Sequence, residues 1–513
     1  MNSAIMTGDQ SPRLNRHTML TLPDTVDIPL YDRSKLKVGI VHLGVGGFHR
    51  AHQAVYINEL LKTPGAEQWA ICGVGLFESN RKLRDILQAQ DYLYSVTVRH
   101  PTGKVENKIV GSMIDFVLAP DNKQQVINKL THPDTKIVSL TITEGGYNIN
   151  PANGDFDDSH PDVRHDIQYP NDPVTAFGYI IAALKIRKDN GLPAFTVQSC
   201  DNIQHNGSVT KKMLVSLAKL QQTSMAEWIE ENVCFPNAMV DRITPVTSQA
   251  DIDYIQTTLG VRDLWPITCE SFSQWVIEDD FCCDRPNWDA VGAQFVEDVT
   301  PYETMKIRLL NAGHSVLGLL GSIHGYYTID EVVSDKDFAT YLRAFMDMEV
   351  TPLLEPMNGI DLEAYKDTLI ERFSNPNIKD SLVRICSESS AKLPKFLIAT
   401  IQDNIAAQRD VSLATLVIAA WCLYCDKSCN ELGVDIDIQD VMYTELADHA
   451  KKTAEDSLSF LKLTAVFGNL INDAAFTTSY SKAIAALYLP SAKIKDVMNT
   501  TLRQKITTVA EGM

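Results

Sequence analysis

Three polar side chains stand in one otherwise apolar helical run: Lys306, Asn311 and His314, within Lys306-Ile307-Arg308-Leu309-Leu310-Asn311-Ala312-Gly313-His314. At about 100° per residue, α-helical geometry sets Asn311 roughly 140° and His314 roughly 80° around from Lys306. All three can then border one cleft while Ile307, Leu310, Val316 and Leu317 pack elsewhere. An amine, a carboxamide and an imidazole so arranged can deprotonate an alcohol, cradle the resulting oxyanion and orient a substrate without a metal. The competing structural role is a packed helix with a snorkelling lysine and two satisfied polar groups.

A second chemical signal lies near the N-terminus. The apolar run 37–43 leads straight into Gly44-Val45-Gly46-Gly47-Phe48-His49-Arg50 and then a helical pattern. Glycine after a first strand permits a tight turn and close approach to a pyrophosphate, which sits where the N–H groups of a helix start attract anions. His49 stands where the usual fingerprint has its third glycine, so this motif by itself leaves a plain structural turn open. Glu78 follows the next strand pattern, where a carboxylate accepts from adenosine ribose hydroxyls and repels a 2′-phosphate. NAD is therefore expected over NADP, with the nearby Arg81 as the feature that would favour the phosphorylated form; a solvated surface glutamate is the alternative.

These groups need an α/β sheet to hold them. From residue 36 to about 285, β-rich runs at 37–43, 69–76, 136–143 and 195–199 alternate with helical patterns at 51–61, 82–90, 123–130 and 174–188. That alternation predicts a parallel, Rossmann-like sheet. Runs at 94–98 and 105–110 around Pro101-Thr102-Gly103 interrupt it and predict an antiparallel hairpin set into the sheet. Glu144 follows the third run directly and Asn202 follows the fourth within Ser199-Cys200-Asp201-Asn202, at the strand ends where open parallel sheets place ligands; each is otherwise a cap or turn residue. Beyond residue 296 amphipathic helical segments continue to the C-terminus. The expected organisation is a loose arm over 1–24, a dinucleotide-binding domain over 25–295 and a helical substrate and catalytic domain over 296–513.

The chain has 513 residues, 45% hydrophobic, which is ample for two cores. Its formal net charge of −19 argues against a phosphate-backbone ligand, since nucleic-acid binders cluster Lys and Arg. Ten cysteines are dispersed in mostly apolar company, as expected of reduced thiols in the cytoplasm. Cys422, Cys425 and Cys429 have a metal-like spacing but no nearby fourth ligand, so packing is the expected role. No apolar run approaches the roughly 20 residues that span a bilayer, and residues 1–24 lack the pattern of a signal or transit peptide. No heptad pattern demands a partner chain, and a monomer is expected.

The motifs Gly44 to Gln53, Thr141-Ile142-Thr143-Glu144-Gly145-Gly146-Tyr147-Asn148, Ser199-Cys200-Asp201-Asn202-Ile203, Phe235 to Pro245 and Lys306 to His314 occur in an order that resembles the polyol-specific long-chain dehydrogenase family. The likeness runs from about residue 36 to beyond Arg384. It implies an NAD-dependent, metal-independent oxidoreductase that interconverts a sugar alcohol and a ketose, D-mannitol and D-fructose first among them. It also implies roles: Lys306 as general base, Asn202 and Asn311 as donors to the alkoxide, His314 positioning the substrate, Glu144 relaying the proton towards water, and Asp241 and Arg384 binding the polyol. A free lysine has a pKa of about 10.4, which burial and a positive nicotinamide ring would lower towards a working value. Glu78-Ser79-Asn80-Arg81 lacks a second adjacent carboxylate, so use of NADP stays open. A fructuronate or tagaturonate reductase is the alternative within the family, and a non-catalytic NAD-binding sensor the alternative outside it.

Overall fold

The computed structural model describes residues 11–150, 153–357 and 359–512. The chain divides into two compact units, Met1–Thr300 and Pro301–Met513, against a sequence expectation of 295 and 296.

The first unit is built on a five-stranded parallel sheet of order β5-β2-β1-β6-β7. The strands are β1 (Val38–Leu43), β2 (Ala70–Gly75), β5 (Met113–Leu118), β6 (Ile137–Leu140) and β7 (Thr196–Ser199). Successive side chains point to opposite faces, and both faces are covered. Ile40, Ile71 and Ile137 pack with Ala54, Ile57 and Leu60; Val41, Cys72 and Val138 pack on the other face with Ile180, Leu184 and Leu214. Burial on both sides explains why these strands read as continuous apolar runs rather than alternating ones.

The hairpin does form, from β3 (Tyr94–Arg99) and β4 (Val105–Val110), but it is not set into the parallel sheet. It makes a separate sheet of order β4-β3-β9, with β3 running parallel to β9 (Ile267–Glu270). A third sheet joins β8 (Ala238–Asp241), β10 (Gln274–Glu278) and β11 (Gln294–Val296). Strands of three to five residues, such as β8 to β11, carry little periodicity to separate them from loops in sequence, and they and β5 are absent from the sequence reading.

The arm is also corrected. Met1 to Gln10 lie outside the described residues, but 11–24 is fastened down: Leu14 is fully buried, its N–H donates to the Arg262 carbonyl at 3.0 Å, and Arg16 pairs with Asp91 at 3.0 Å.

The second unit is helical. Its centre is the helix Ser412–Lys427, apolar nearly all round and therefore buried on most sides. It packs against Ala474–Leu487 and Ala312–His324. Cys422 and Cys425 lie in this core, with Cys422 Sγ 3.3 Å from Thr453 Oγ1. Among the described residues no three His, Cys, Asp or Glu side chains group as ligands for a metal ion, and no helix there is long and apolar enough to cross a membrane.

Candidate active site

The order of the parallel sheet contains its own ligand address. From β1 the chain builds outward to β2 and β5, then returns to lay β6 on the other side of β1, so β1 and β6 flank the switch point at which such sheets bind ligands beyond their carboxyl ends. The Gly44 turn follows β1, Glu78 follows β2, Glu144 follows β6 and Asn202 follows β7, so one edge of the sheet collects these sequence-predicted residues of the first unit. Asp241 ends β8 in the third sheet and is buried.

Gly44 adopts φ +92°, and a Cβ there would stand 2.2 Å from the Thr141 carbonyl oxygen, so only glycine fits. Gly46 differs: a Cβ on it would meet no heavy atom nearer than 3.8 Å, and one on Gly47 none nearer than 3.9 Å. A side chain at either would meet only ordinary van der Waals contact, and the two glycines lie where the helix Gly47–Ala51 begins, the position at which a Rossmann turn takes a dinucleotide pyrophosphate. Phe48 is half-buried and stacks on His52 at 4.9 Å.

His49 and Arg50, also expected at the cofactor, turn their side chains into the interior. The His49 imidazole stacks on His42 of β1 with ring centroids 3.5 Å apart and planes 9° apart. A flat ring laid against the strand does the close helix-to-strand packing that the third glycine performs elsewhere. Arg50 is 1% exposed, donates to the Trp265 carbonyl at 2.7 Å and lies over the Tyr94 ring. Beneath the turn, His42 bonds Ser139 Oγ at 2.8 Å and Thr141 Oγ1 at 2.9 Å, and Thr141 Oγ1 donates to the Gly44 carbonyl at 2.6 Å. Full burial pushes the His42 imidazole down to about 3 and holds His49 well below the usual range, so both rings are neutral at physiological pH.

Glu78 is exposed and paired with Arg81, which also reaches Asp121 at 2.6 Å; Asp121 in turn binds Arg84 at 3.0 Å. The hydrogen bond from Arg81 holds the Glu78 carboxyl below its ordinary range. Arg81 is thereby balanced by two carboxylates, one of them from beyond the end of β5.

In the second unit, Lys306–Asn311 forms a π-helical turn between the α-helices Thr300–Met305 and Ala312–His324. The α-helical offsets expected from sequence do not hold across this turn. With hydrogen bonding from i to i+5, the wider turn reduces the rotation between Lys306 and Asn311 below the α-helical value. Lys306 is buried, His314 half-buried with its ring 4.4 Å from that of Phe373. Arg384, on the neighbouring helix Leu382–Cys386, is exposed and its Nε donates to Asp380 at 2.6 Å. The helices Ala312–His324 and Leu382–Cys386 approach at Gly318, where a Cβ would come within 2.9 Å of both Ile385 and Cys386.

A residue missed in sequence is Asp201, whose buried carboxylate accepts from the Ile142 and Thr143 N–H groups and from the Tyr147 hydroxyl. Its position beside Asn202 at a strand end was the available signal.

An open parallel sheet with an accessible glycine turn at its switch point, and a helix carrying an amine, an amide and an imidazole, define an oxidoreductase of the dinucleotide-binding class. Residues 38–290 match the mannitol dehydrogenase Rossmann domain and residues 298–488 the mannitol dehydrogenase C-terminal domain. The chain belongs to the mannitol dehydrogenase family. It is 44% identical over 450 residues to mannitol 2-dehydrogenase of Emericella nidulans, covering 86% of this chain and 89% of that one. The enzyme of the same name from Pyricularia oryzae is 42% identical over 466 residues, 90% of this chain and 92% of the other. Among solved structures, Pseudomonas fluorescens mannitol 2-dehydrogenase in a ternary complex with NAD and D-mannitol is similar at TM-score 0.84 and 44% identity, over 96% of this chain and 99% of that one. A substrate-free D-sorbitol dehydrogenase is similar at TM-score 0.88 and 38% identity, over 94% and 100% of the respective chains.

Proposed function

We propose that this protein interconverts a sugar alcohol and a ketose, D-mannitol and D-fructose foremost, with NAD as the redox partner. The observation that carries this reading is the π-turn holding a buried lysine and an asparagine one turn apart, in a chain related over most of its length to mannitol 2-dehydrogenases. The NAD and D-mannitol bound by the Pseudomonas enzyme support the choice of ligands.

Oxidation at C2 requires the hydroxyl proton to leave, because the carbon cannot become a ketone while its oxygen stays protonated. Lys306 takes that proton as general base, without a metal. Asn202 and Asn311 donate N–H groups to the oxygen as charge develops on it, and His314 orients the substrate. Glu144, exposed at the end of β6, passes the proton to water. Asp241 and Arg384 hold the remaining hydroxyls. The backbone of the turn at Gly46 and Gly47 receives the pyrophosphate, and Glu78 meets the adenosine ribose. When bound, the nicotinamide supplies the hydride acceptor. Arg384 is already matched by Asp380, which favours a neutral polyol over a sugar acid that would need an uncompensated cation.

The test is the rate of absorbance change at 340 nm with fructose and NADH, beside mannitol, arabinitol and fructuronate with the matching cofactor forms, with and without EDTA. The expected result is a preference for fructose and mannitol, unaffected by chelation. Preference for fructuronate would move the reading to a sugar-acid reductase; cofactor binding without turnover would make the protein a sensor; loss of activity in EDTA restored by zinc would overturn the lysine mechanism.

A further inference from the structure

We infer that Asp201 is a positioning residue: its carboxylate, held by Tyr147, clamps the turn that carries Glu144 to the strand end that carries Asn202. The inference rests on the roles proposed above for those two residues.

The parallel ladder between β6 and β7 ends at the pair Leu140 and Ser199, with one further bond from the Cys200 N–H to the Leu140 carbonyl at 2.8 Å. Beyond it the backbone loses sheet partners, yet Glu144 and Asn202 both lie in this unladdered stretch. Asp201 replaces the ladder. It accepts from the Ile142 N–H at 3.0 Å, the Thr143 N–H at 2.9 Å and the Tyr147 hydroxyl at 2.7 Å. The Tyr147 oxygen also lies 2.7 Å from Ser199 Oγ, so the tyrosine ties the far end of the turn Thr143–Gly146 to the last residue of β7. On the other side, Asn206 donates to the Asp201 carbonyl at 3.0 Å and to the Ala238 carbonyl at 2.8 Å, fixing the peptide that leads into Asn202.

The turn needs such a hold. Thr143 sits at φ +60°, a left-handed conformation that a β-branched residue rarely adopts and that persists only where surrounding bonds impose it. The residue next along is Glu144. A carboxylate suits this place because it accepts from three donors at once, which neither an amide nor a hydroxyl can do in the same geometry. Asp201 is 8% exposed while Glu144 and Asn202 are exposed, so the clamp lies beneath the two groups it places.

The experiment compares kcat, the dissociation constant for NADH by fluorescence, and the melting temperature for Asp201→Asn, alone and in a Glu144→Gln background. An amide at 201 turns an N–H donor towards one of the donors the carboxylate now receives. The expected result is a fall in kcat of about 10- to 100-fold, an NADH dissociation constant within about twofold of the parent, and a smaller fold-loss when Glu144 is already Gln, because the part of the effect that runs through Glu144 is then already gone while the part through Asn202 remains. An unchanged kcat, or an equal loss in both backgrounds, would overturn the inference, as would an NADH affinity that falls in step with kcat. Should D201N fail to fold, Tyr147→Phe carries the test: it removes one bond of the clamp, and a kcat unchanged in Y147F would be equally fatal. Parent-like activity of both E144Q and N202A would remove the underlying reading itself, a result separate from anything measured at Asp201.

Discussion

Lys306 and Asn311 are the first and last residues of a single π-helical turn, so a five-residue separation that would carry them to different faces of an α-helix leaves a smaller rotation between them. Such turns recur at functional sites because the one extra residue re-aims side chains without ending the helix. Here the turn brings a buried amine and a carboxamide closer in direction than an α-helix would, which suits the roles proposed for them in proton removal and alkoxide stabilisation.

Replacing Lys306 by alanine is expected to remove most turnover, on the order of 100- to 10,000-fold as for loss of a general base, while NADH binding stays near the parent value. Stopped-flow single-turnover rates and fluorescence titration check the two halves of this statement. Parent-like turnover of K306A at pH 7 would take the lysine out of the mechanism.

Asn311→Ala and Asn202→Ala should each lower kcat by about 100- to 1000-fold, the usual effect of losing one donor to a developing oxyanion. The Michaelis constant for the polyol should change far less than kcat, since the bond strengthens as charge grows. A rise in Michaelis constant with kcat untouched would reassign either asparagine to ground-state binding.

Cofactor choice should turn on Arg81. With Glu78 and Asp121 both on the guanidinium, the arginine has little charge to offer a 2′-phosphate. The double variant Glu78→Gln with Asp121→Asn releases it, and the ratio of kcat/KM for NADP+ over NAD+ is expected to rise at least about tenfold, equivalent to about 1.4 kcal/mol. An unchanged ratio would show that neither carboxylate sets the preference.

Stability should fall on mild acidification. The folded-state pKa of His42 is about 3 and that of His49 is also depressed, against about 6.5 for an exposed histidine. Between these values the unfolded chain binds protons that the folded chain refuses, so unfolding free energy rises with pH across that window, by up to about 1.4 kcal/mol per pH unit for each ring. Urea midpoints at pH 7, 6 and 5 are expected to decrease in that order. His49→Phe, which leaves a flat ring against His42 without a titratable nitrogen, should roughly halve the slope. Midpoints level from pH 7 to 5 would contradict the neutral stack.

The strands β1, β2, β6 and β7 and the helices between them were legible because a buried parallel strand and an amphipathic helix each announce themselves within a dozen residues. The same locality made the glycine turn, Glu78, Glu144 and Asn202 recognisable as strand-end residues. The pairing of the hairpin with β9 was not legible, since its partner lies about 170 residues further along the chain. Nor was the interior role of His49, which exists only because His42 presents a ring to stack on.

What the amino-acid order alone determined was therefore which residues are candidates for chemistry and which end of which element each occupies. The tertiary structure decided how they face. Lys306 to Asn311 adopt an i to i+5 turn within the packed helical unit, and the Asp201 carboxylate holds the backbone past the end of the sheet. Both depend on contacts between segments far apart in the chain, and periodicity, being a property of neighbours, carries no record of them.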